Sequence, residues 1–515
     1  MRLCIRLRLP LNRLLHSPTD CCRRSFHHGH PPAKDPTIFE DSLEKTLEVH
    51  RSANRQSLIR KVVSRSDLRV PIPPFTPLRK PAESKSQPSV PKLRKRVNNT
   101  NSPRRILPED TRVPIHQPVG WRVRNGKPQQ CPWLNEMGPH HTFSGGISQL
   151  DAEACALDRY LIPTTQEEKV VGETVSGFTK ALQDLTQHPL HVVRSRRTGF
   201  AMSHSDINFV LLVPDPVRSN RIRMPSANRP WNQRRYSNIQ WRIWRKLPLS
   251  PSYKLQISNT PHSAPRIIHQ PTGLQLQFNC ADGLPASDEY IQDFQAEYPY
   301  LRPLYMAARL ILEVRGLFGD TNASLSPIAL QLLIAAFLKM NHGRFSRDSG
   351  CGEPLLAFLR TFGSEIDLTT TGIAVDPPAF FNAESVKEAC TIYKHDGLPA
   401  HLRGQRALIN AKKSAALHGN ESLAHRLCLQ HPANYMTDLG GRCTRTAELQ
   451  SAFADAYSCL KSALDVWEPV EPGSLSKNTS VLGTALRANF EDFESRRAAI
   501  VKFDGWRRPS EGLGQ

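Results

Sequence analysis

Along this chain the apolar positions change period twice within eighty residues. LDAEACALDRYL, residues 150–161, repeats apolar side chains at three- and four-residue intervals and stops before Pro163. That spacing predicts a helix led by Ser148-Gln149. Thr164-Thr165-Gln166-Glu167-Glu168 follows and predicts an N-cap with an acidic first turn, where carboxylates face unpaired amide groups. The next residues keep helical spacing to Leu185. The period then collapses into a nearly continuous apolar run, SDINFVLLVPD at 205–215, which predicts a buried strand. A last helical pattern occupies 448–467, with Phe453, Tyr457 and Leu460 on one face as core. The longest apolar run, 328–340, is interrupted by Gln331. It falls short of the roughly 20 residues of a spanning helix, so an integral membrane protein is disfavoured.

No such periodicity exists in the first quarter of the chain. Residues 51–105 hold fifteen Lys/Arg and two acids, Asp67 and Glu83, among recurring prolines. Such a segment cannot bury enough apolar surface to offset its ordering entropy. The folded body is therefore expected from Trp133, with 27–132 a disordered basic linker. Residues 1–26 look like an address. Arg2, Arg6, Arg8 and Arg13 interleave with leucines, with no acid before Asp20 and no continuous apolar core. That composition predicts a mitochondrial presequence and a matrix location, not a secretory signal.

The whole chain of 515 residues carries a net charge of +21. Most of it, +15, lies in residues 1–105, so the folded body is only moderately basic. A polyanionic partner is still the expected class. The eleven cysteines include no CxxC pair. Zinc ribbons and fingers are excluded by that spacing, and the thiols are expected to be buried or unused. His395, His401, His425 and His431 show no metal spacing either.

The motifs between residues 190 and 440 fall in a telling order. Arg194-Ser195, Thr198-Gly199-Phe200 and Ser205-Asp206-Ile207-Asn208 come first. The strand-like 272–279 follows, then the helix-like 305–317, then Leu325-Ser326-Pro327-Ile328. Leu355-Leu356, Phe358, Phe362-Gly363 and Gly372-Ile373 come next, and Gln430-His431-Pro432 with Thr437-Asp438-Leu439-Gly440 closes the series. In this order they resemble the DNA-polymerase-β-like nucleotidyltransferases, in their template-independent poly(A)/poly(U) polymerase branch. The resemblance covers roughly 133–470. It implies an α+β fold: a nucleotidyltransferase palm at 163–295, a helical poly(A)-polymerase-associated central domain at 296–470, and N-terminal helices at 133–162 that join it. Residues 471–515 are a C-terminal extension, and 380–425 looks like an inserted helical arm.

The resemblance also assigns roles. Asp206, Asn208 and Gln277 occupy the positions of the three metal-binding carboxylates. Ser195, Arg309 and Asp438 occupy nucleotide-binding positions. Nucleotidyl transfer on two cations needs carboxylates i and i+2 on one strand, which share a face, and a third from a neighbouring strand. Only Asp206 retains its charge and could ligate Mg²⁺ or Mn²⁺. Asn208 and Gln277 offer dipoles, Arg194 stands where the family has glycine, and Pro327-Ile328 replaces a serine and an aromatic. Asp282 is the nearest alternative to Gln277. The expectation is weak or lost transfer, with a nucleoside triphosphate and a cation as ligands only if activity survives. An active RNA 3′-terminal nucleotidyltransferase and a structural subunit of a mitochondrial RNA–protein assembly are the alternatives.

Between the two site strands, residues 218–246 hold nine Lys/Arg, no acid, and Trp231, Tyr236, Trp241 and Trp244. Arginine binds phosphate and aromatics stack on unpaired bases. Arg234, Arg235, Arg242 and Arg245 with Trp241 and Trp244 are therefore the expected contacts to single-stranded RNA. Packing of the aromatics on the body is the competing reading. The address predicts that residues 1–40 fused to a fluorescent reporter carry it into mitochondria; a reporter left in the cytosol would refute this.

Overall fold

The computed structural model describes residues 119–502, apart from 125, 139–141, 216–228, 248–249, 257–265, 320–322, 346–349, 394–396 and 470–478. The expected import segment 1–26, most of the linker 27–132 and residues 218–228 of the insertion lie outside the described residues. The fold is α+β, as the sequence predicts.

The body opens earlier than Trp133, which corrects the linker boundary. Trp121 is buried edge-on to Phe490, with ring centroids 5.3 Å apart. The Asn489 N–H donates to Trp121 O at 2.8 Å, and the Gln130 N–H to Ala488 O at 2.9 Å. Polar, proline-rich residues around the two tryptophans hide this from any periodicity count. Two large indoles nevertheless bury enough surface to order their segment.

Helix α1, Gly146–Leu161, lays Leu150, Ala154, Leu157 and Leu161 into the helical core. Helix α2, Thr165–Gln183, begins at a capping box. The Thr164 hydroxyl accepts from Glu167 N, and the Glu167 carboxylate accepts from Thr164 N at 2.7 Å, which satisfies two otherwise unpaired amides. The palm follows: β1 (Leu190–Val193), the single turn α3 (Ser195–Thr198), β2 (Ile207–Leu212), α4 (Arg229–Lys246), β3 (Tyr253–Gln256), β4 (Arg266–His269) and β5 (Gln275–Ala281). The sheet order is β1-β2-β5-β4-β3, with only the β2–β5 pair parallel. Ile207, Phe209, Leu211, Leu276 and Phe278 point to one face and are covered by Val170, Phe178 and Leu182 of α2 and Ile243 of α4. The other face carries Asn208, Gln275, Gln277 and Asn279, all half-buried or exposed.

The helical body contains α5 (Ala286–Glu297), α6 (Leu301–Val314), α7 (Pro327–Met340) and α8 (Gly352–Arg360). A second sheet follows, of β6 (Gly372–Val375), β7 (Pro378–Phe381) and, later, β8 (Cys428–Gln430). Between its strands lie α9 (Ala383–Ile392), α10 (Ala400–Leu417) and the short α11 (Glu421–Ala424). The arm expected at 380–425 is thus no free arm. Val386, Leu408 and Ile409 pack on Ala374, Phe381 and Cys428 to make a third core. Ile373, Val375 and Leu429, on the opposite face of the same strands, join the main one. Helix α12, Thr446–Asp465, buries Leu449, Phe453, Ala456 and Leu460, with Tyr457 half-buried. Among the described residues no helix is long and apolar enough to cross a membrane.

Two short helices close the chain, α13 (Val481–Leu486) and α14 (Glu491–Lys502). Both are fastened by buried acids. Glu153 of α1 accepts from the Ser480 hydroxyl and from the N–H groups of Val481 (2.9 Å) and Leu482 (3.1 Å), so it caps α13. Arg497 of α14 donates to both oxygens of Glu167, at 2.8 and 3.2 Å, and to Tyr160 O and Ile162 O. Burial works to raise the Glu167 pKa, but bonding to Arg497, Thr164 and Ser203 holds it below its ordinary value of 4.5. A depressed carboxylate stabilises the fold above its unfolded pKa, and that contribution fades as pH falls through the lower folded value. Arg497→Ala is therefore expected to cost about 3 kcal/mol at neutral pH, read by denaturant unfolding. The cost should shrink on acidification below 4.5; a constant cost would mean that the pair does not carry it.

Candidate active site

The site is built by a loop that leaves β1 and returns as β2. It starts with an anomaly: Arg194 has φ 66° and ψ −144°, close to the region that glycine alone occupies freely. Its N–H is held by the buried carboxylate of Asp288, at 2.8 Å, at the start of α5. The Thr198 hydroxyl donates back to Arg194 O, and the Phe200 N–H to Ser195 O. Gly199, at φ 78°, reverses the chain. Phe200 then anchors the loop against Tyr305 of α6, edge-on with centroids 5.0 Å apart. A backbone conformation that suits glycine is thus held under an arginine side chain by the hydrogen bond to Asp288.

The rest of the loop is pinned from below. The Ser203 hydroxyl donates to Glu167 at 2.9 Å, and the Ser205 hydroxyl accepts from Met202 N. The Arg196 guanidinium donates to Ser203 O (3.0 Å) and Ser205 O (2.8 Å). Burial pushes the Arg196 pKa down to about 10, against the pull of Asp206, Glu168 and Glu167. It stays charged at neutral pH and sets a fixed positive charge behind Asp206. His204, between the rings of Trp121 and Phe493, is driven well below its ordinary pKa. Burial is the main cause, with Arg309, Arg496 and Arg196 adding to it. It is neutral packing. Neither residue stands out in the sequence, because neither lies in a recognisable motif.

Asp206 emerges at the foot of β2, and the three carboxylate positions converge. Asn208 and Gln277 are direct partners across the parallel β2–β5 pair. The Gln277 amide nitrogen donates to Asp206 Oδ2 at 3.0 Å. Asp282 lies five residues further along, about 16 Å at strand rise. There its charge instead helps raise the Tyr236 pKa, after burial, on the α4 side. Of the two candidates, Gln277 is the one that faces Asp206. Ser195 sits at the adjoining turn, two residues past Val193, which pairs with Asn208.

The other nucleotide-binding candidates are tied up elsewhere. Arg309 is buried, donates to Glu313 at 2.8 Å and lies over the Phe318 ring. Asp438 accepts from Leu429 N, Gly440 N and Arg426 Nε. It organises the turn after β8, and burial raises its pKa despite those donors.

A two-cation cradle does not fit these residues. One carboxylate remains of three, and a carboxylate can only accept, so the amide facing it must donate. The hydrogen bond from Gln277 occupies one of the roughly four lone-pair sites of Asp206, and one anion cannot balance two divalent charges.

Helix α4 presents a second chemistry. Tyr236, Ile239, Ile243 and Trp244 recur at helical spacing and face the palm core, with Trp244 6.2 Å from Phe278. Trp244, expected among the RNA contacts, is therefore partly core. Trp231 and Trp241 are 53% and 61% exposed, and Arg235 stacks 5.9 Å over Trp231. Between α4 and the loop before β1 runs a groove of about 530 Å³, lined by His188, Trp231, Arg234, Arg235, Asn238, Ile239 and Arg242. Arg235 and Arg242 each anchor by one bond, to Pro214 O and Leu185 O. Burial and the nearby Arg235 lower the His188 pKa, so it adds no charge.

No family model matches the chain. Over 347 residues it is 22% identical to the poly(A) RNA polymerase cid14 of Schizosaccharomyces pombe, covering 65% of this chain and 43% of that protein. The chain thus spans less than half the length of this curated relative. The polymerase core of TRAMP, an RNA surveillance complex, superposes with a TM-score of 0.48 at 17% identity, over 69% of this chain and 99% of that one. The Cid1 poly(U) polymerase with MgGTP gives 0.43 at 9% identity, over 65% and 97%. Terminal uridylyl transferase 4 from Trypanosoma brucei with bound GTP gives 0.42 at 14%, over 66% and 99%. By sequence the chain is thus distantly similar to a poly(A) RNA polymerase.

The strain at Arg194 yields a direct expectation. Arg194→Gly should stabilise the fold by about 1 kcal/mol, since relief of the positive φ exceeds the entropy that glycine adds to the unfolded chain. Denaturant unfolding of the variant reads this, and a destabilised variant would show that the turn is not strained.

Proposed function

We propose that this chain, distantly similar to a poly(A) RNA polymerase, is an RNA-associated protein of the mitochondrial matrix whose nucleotidyl transfer is weak or lost. One observation carries the catalytic half: the amide of Gln277 bonded to Asp206, in register with Asn208. Removal of two of three anions costs several kcal/mol of metal and transition-state stabilisation, a rate loss of roughly 10⁴ or more. Arg194 at the phosphate turn and the engagement of Arg309 by Glu313 weaken triphosphate binding further. The exposed face of α4 supports the RNA half. Trp231 and Trp241 stand among Arg234, Arg235, Arg242 and Arg245, with no acid on the helix. The relative's name, a poly(A) RNA polymerase, agrees with RNA as the partner class. The matrix location rests on the Arg-rich, acid-poor start of the chain.

One experiment separates the alternatives. A labelled single-stranded RNA is incubated with purified protein, ATP or UTP, and Mg²⁺ or Mn²⁺. The expected result is binding without lengthening. Replacement of Arg234, Arg235, Arg242 and Arg245 by Ala should weaken binding and flatten its salt dependence by about 0.7 slope units per lost phosphate contact. Lengthening that disappears in Asp206→Ala would mark an active RNA 3′-terminal nucleotidyltransferase and overturn the catalytic half. Affinity and slope unchanged in the arginine variant would remove α4 as the RNA surface. No binding by the natural protein would leave the structural-subunit reading.

A further inference from the structure

Outside the palm sheet, α1 and α8 bring together three side chains, one of them about two hundred residues from the other two. Asp151 and Cys155 stand one turn apart on α1, and Cys351 is the residue from which α8 starts. A carboxylate oxygen of Asp151 and the sulfurs of Cys155 and Cys351 all lie within 4.8 Å of one another, and Asp151 Oδ1 is 4.0 Å from Cys155 Sγ. Among the described residues this is the one such group of histidine, cysteine and acidic ligand atoms.

The approach is constructed by the backbone. Cys351 is flanked by Gly350 and Gly352. A Cβ on Gly350 would fall 1.7 Å from an Asp151 carboxylate oxygen, and one on Gly352 would fall 3.0 Å from Ile147 O. Both glycines let α8 begin hard against α1. The Cys351 N–H donates to Asp151 Oδ1 at 2.5 Å, which fixes the carboxylate beside the two sulfurs. Cys351 is fully buried, whereas Asp151 and Cys155 are half-buried, so the group opens to solvent on one side only.

The dimensions suit a cation. Three atoms spaced as Asp151 Oδ1 and Cys155 Sγ are, 4.0 Å apart, would have their equidistant point about 2.3 Å from each, and at the outer limit of 4.8 Å about 2.8 Å. Zinc–thiolate bonds are about 2.3 Å and zinc–carboxylate bonds about 2.0–2.2 Å. A contraction of a few tenths of an ångström therefore completes the coordination.

We propose that Asp151, Cys155 and Cys351 form a three-ligand site for a thiophilic divalent cation, Zn²⁺ by the softness of its sulfur donors, with water in the fourth position on the open side. Binding exchanges protons for metal: one Zn²⁺ enters and the two thiols release two protons to solvent, with no change of oxidation state. The bound ion would tie α1 to α8. The site is independent of the Asp206 cradle, which lacks sulfur ligands and would take a hard cation.

The test uses the full-length protein expressed with zinc supplied and purified under reducing conditions. Elemental analysis should give about one zinc per chain, falling to near zero in Cys155→Ser. Exchange for Co²⁺ should produce an intense near-ultraviolet sulfur-to-cobalt charge-transfer band and visible bands of tetrahedral intensity, both lost in the same variant. Asp151→Asn keeps an acceptor for the Cys351 N–H but loses the charge, so it should weaken Co²⁺ binding at least tenfold with the fold intact by circular dichroism. Cys443→Ser, a buried thiol outside the group, should retain the metal. Three results would overturn the proposal. These are no zinc and no cobalt band in the natural protein, equal metal in Cys155→Ser, or a Cys155–Cys351 disulfide in place of metal by mass spectrometry after thiol blocking.

Discussion

A carboxylate with only 1% of its surface exposed cannot remain charged without donors, and Glu167 has them from three separate parts of the chain. Thr164 N closes the capping box that starts α2, Ser203 belongs to the loop that delivers Asp206, and Arg497 reaches in from α14. The palm helix, the site loop and the C-terminal helix therefore share one anion. Arg497 also stacks on Tyr160 and Phe493 and takes up the last carbonyls of α1, so the charge is dry as well as paired. Remove the anion and the loop loses its floor, the capping box loses one half, and Arg497 is left as an uncompensated, half-buried cation.

The geometry around Asp206 follows from that rigidity. The loop is held by Glu167, Arg196, Asp288 and Phe200, so it cannot rearrange to suit whichever residues occupy the cradle. A fixed scaffold makes the identity of Asn208 and Gln277 decisive. With carboxylates there, mutual repulsion would be relieved only by cations. With amides, the repulsion is gone and Asp206 finds a donor within the protein. At Arg194 a backbone conformation that suits glycine is held under an arginine side chain.

The C-terminal residues and the 380–425 segment had no chemistry legible in the sequence, yet each completes a core. Val481, Leu482, Phe490 and Phe493 fill the helical body, and Val386, Leu408 and Ile409 close the second sheet. Helices α9 and α10 bury few apolar side chains, and α13 has only six residues, too few repeats for a period to stand out. The same limit hid the residues after 119, where two tryptophans order a stretch whose composition reads as linker.

Local order was written in the chain itself. The capping box at Thr164, the α1 and α12 periodicities, the buried run of β2 and the arginine–tryptophan alternation of α4 are short-range patterns, set by side chains three, four or two residues apart, whereas the palm was implied by a family resemblance carried by motifs spread over residues 190–440. Tertiary structure decided what depends on distant partners. It set Gln277, and not Asp282, opposite Asn208, because the parallel register of β2 and β5 is fixed by the packing of Phe209 and Phe278 on α2. It turned Trp244 inward and left Trp231 outward, because only one face of α4 meets the sheet. It brought Asp151 and Cys155 to Cys351 across two hundred residues of chain. Spacing along a sequence records which residues share a face; which face meets which is a property of the packed core.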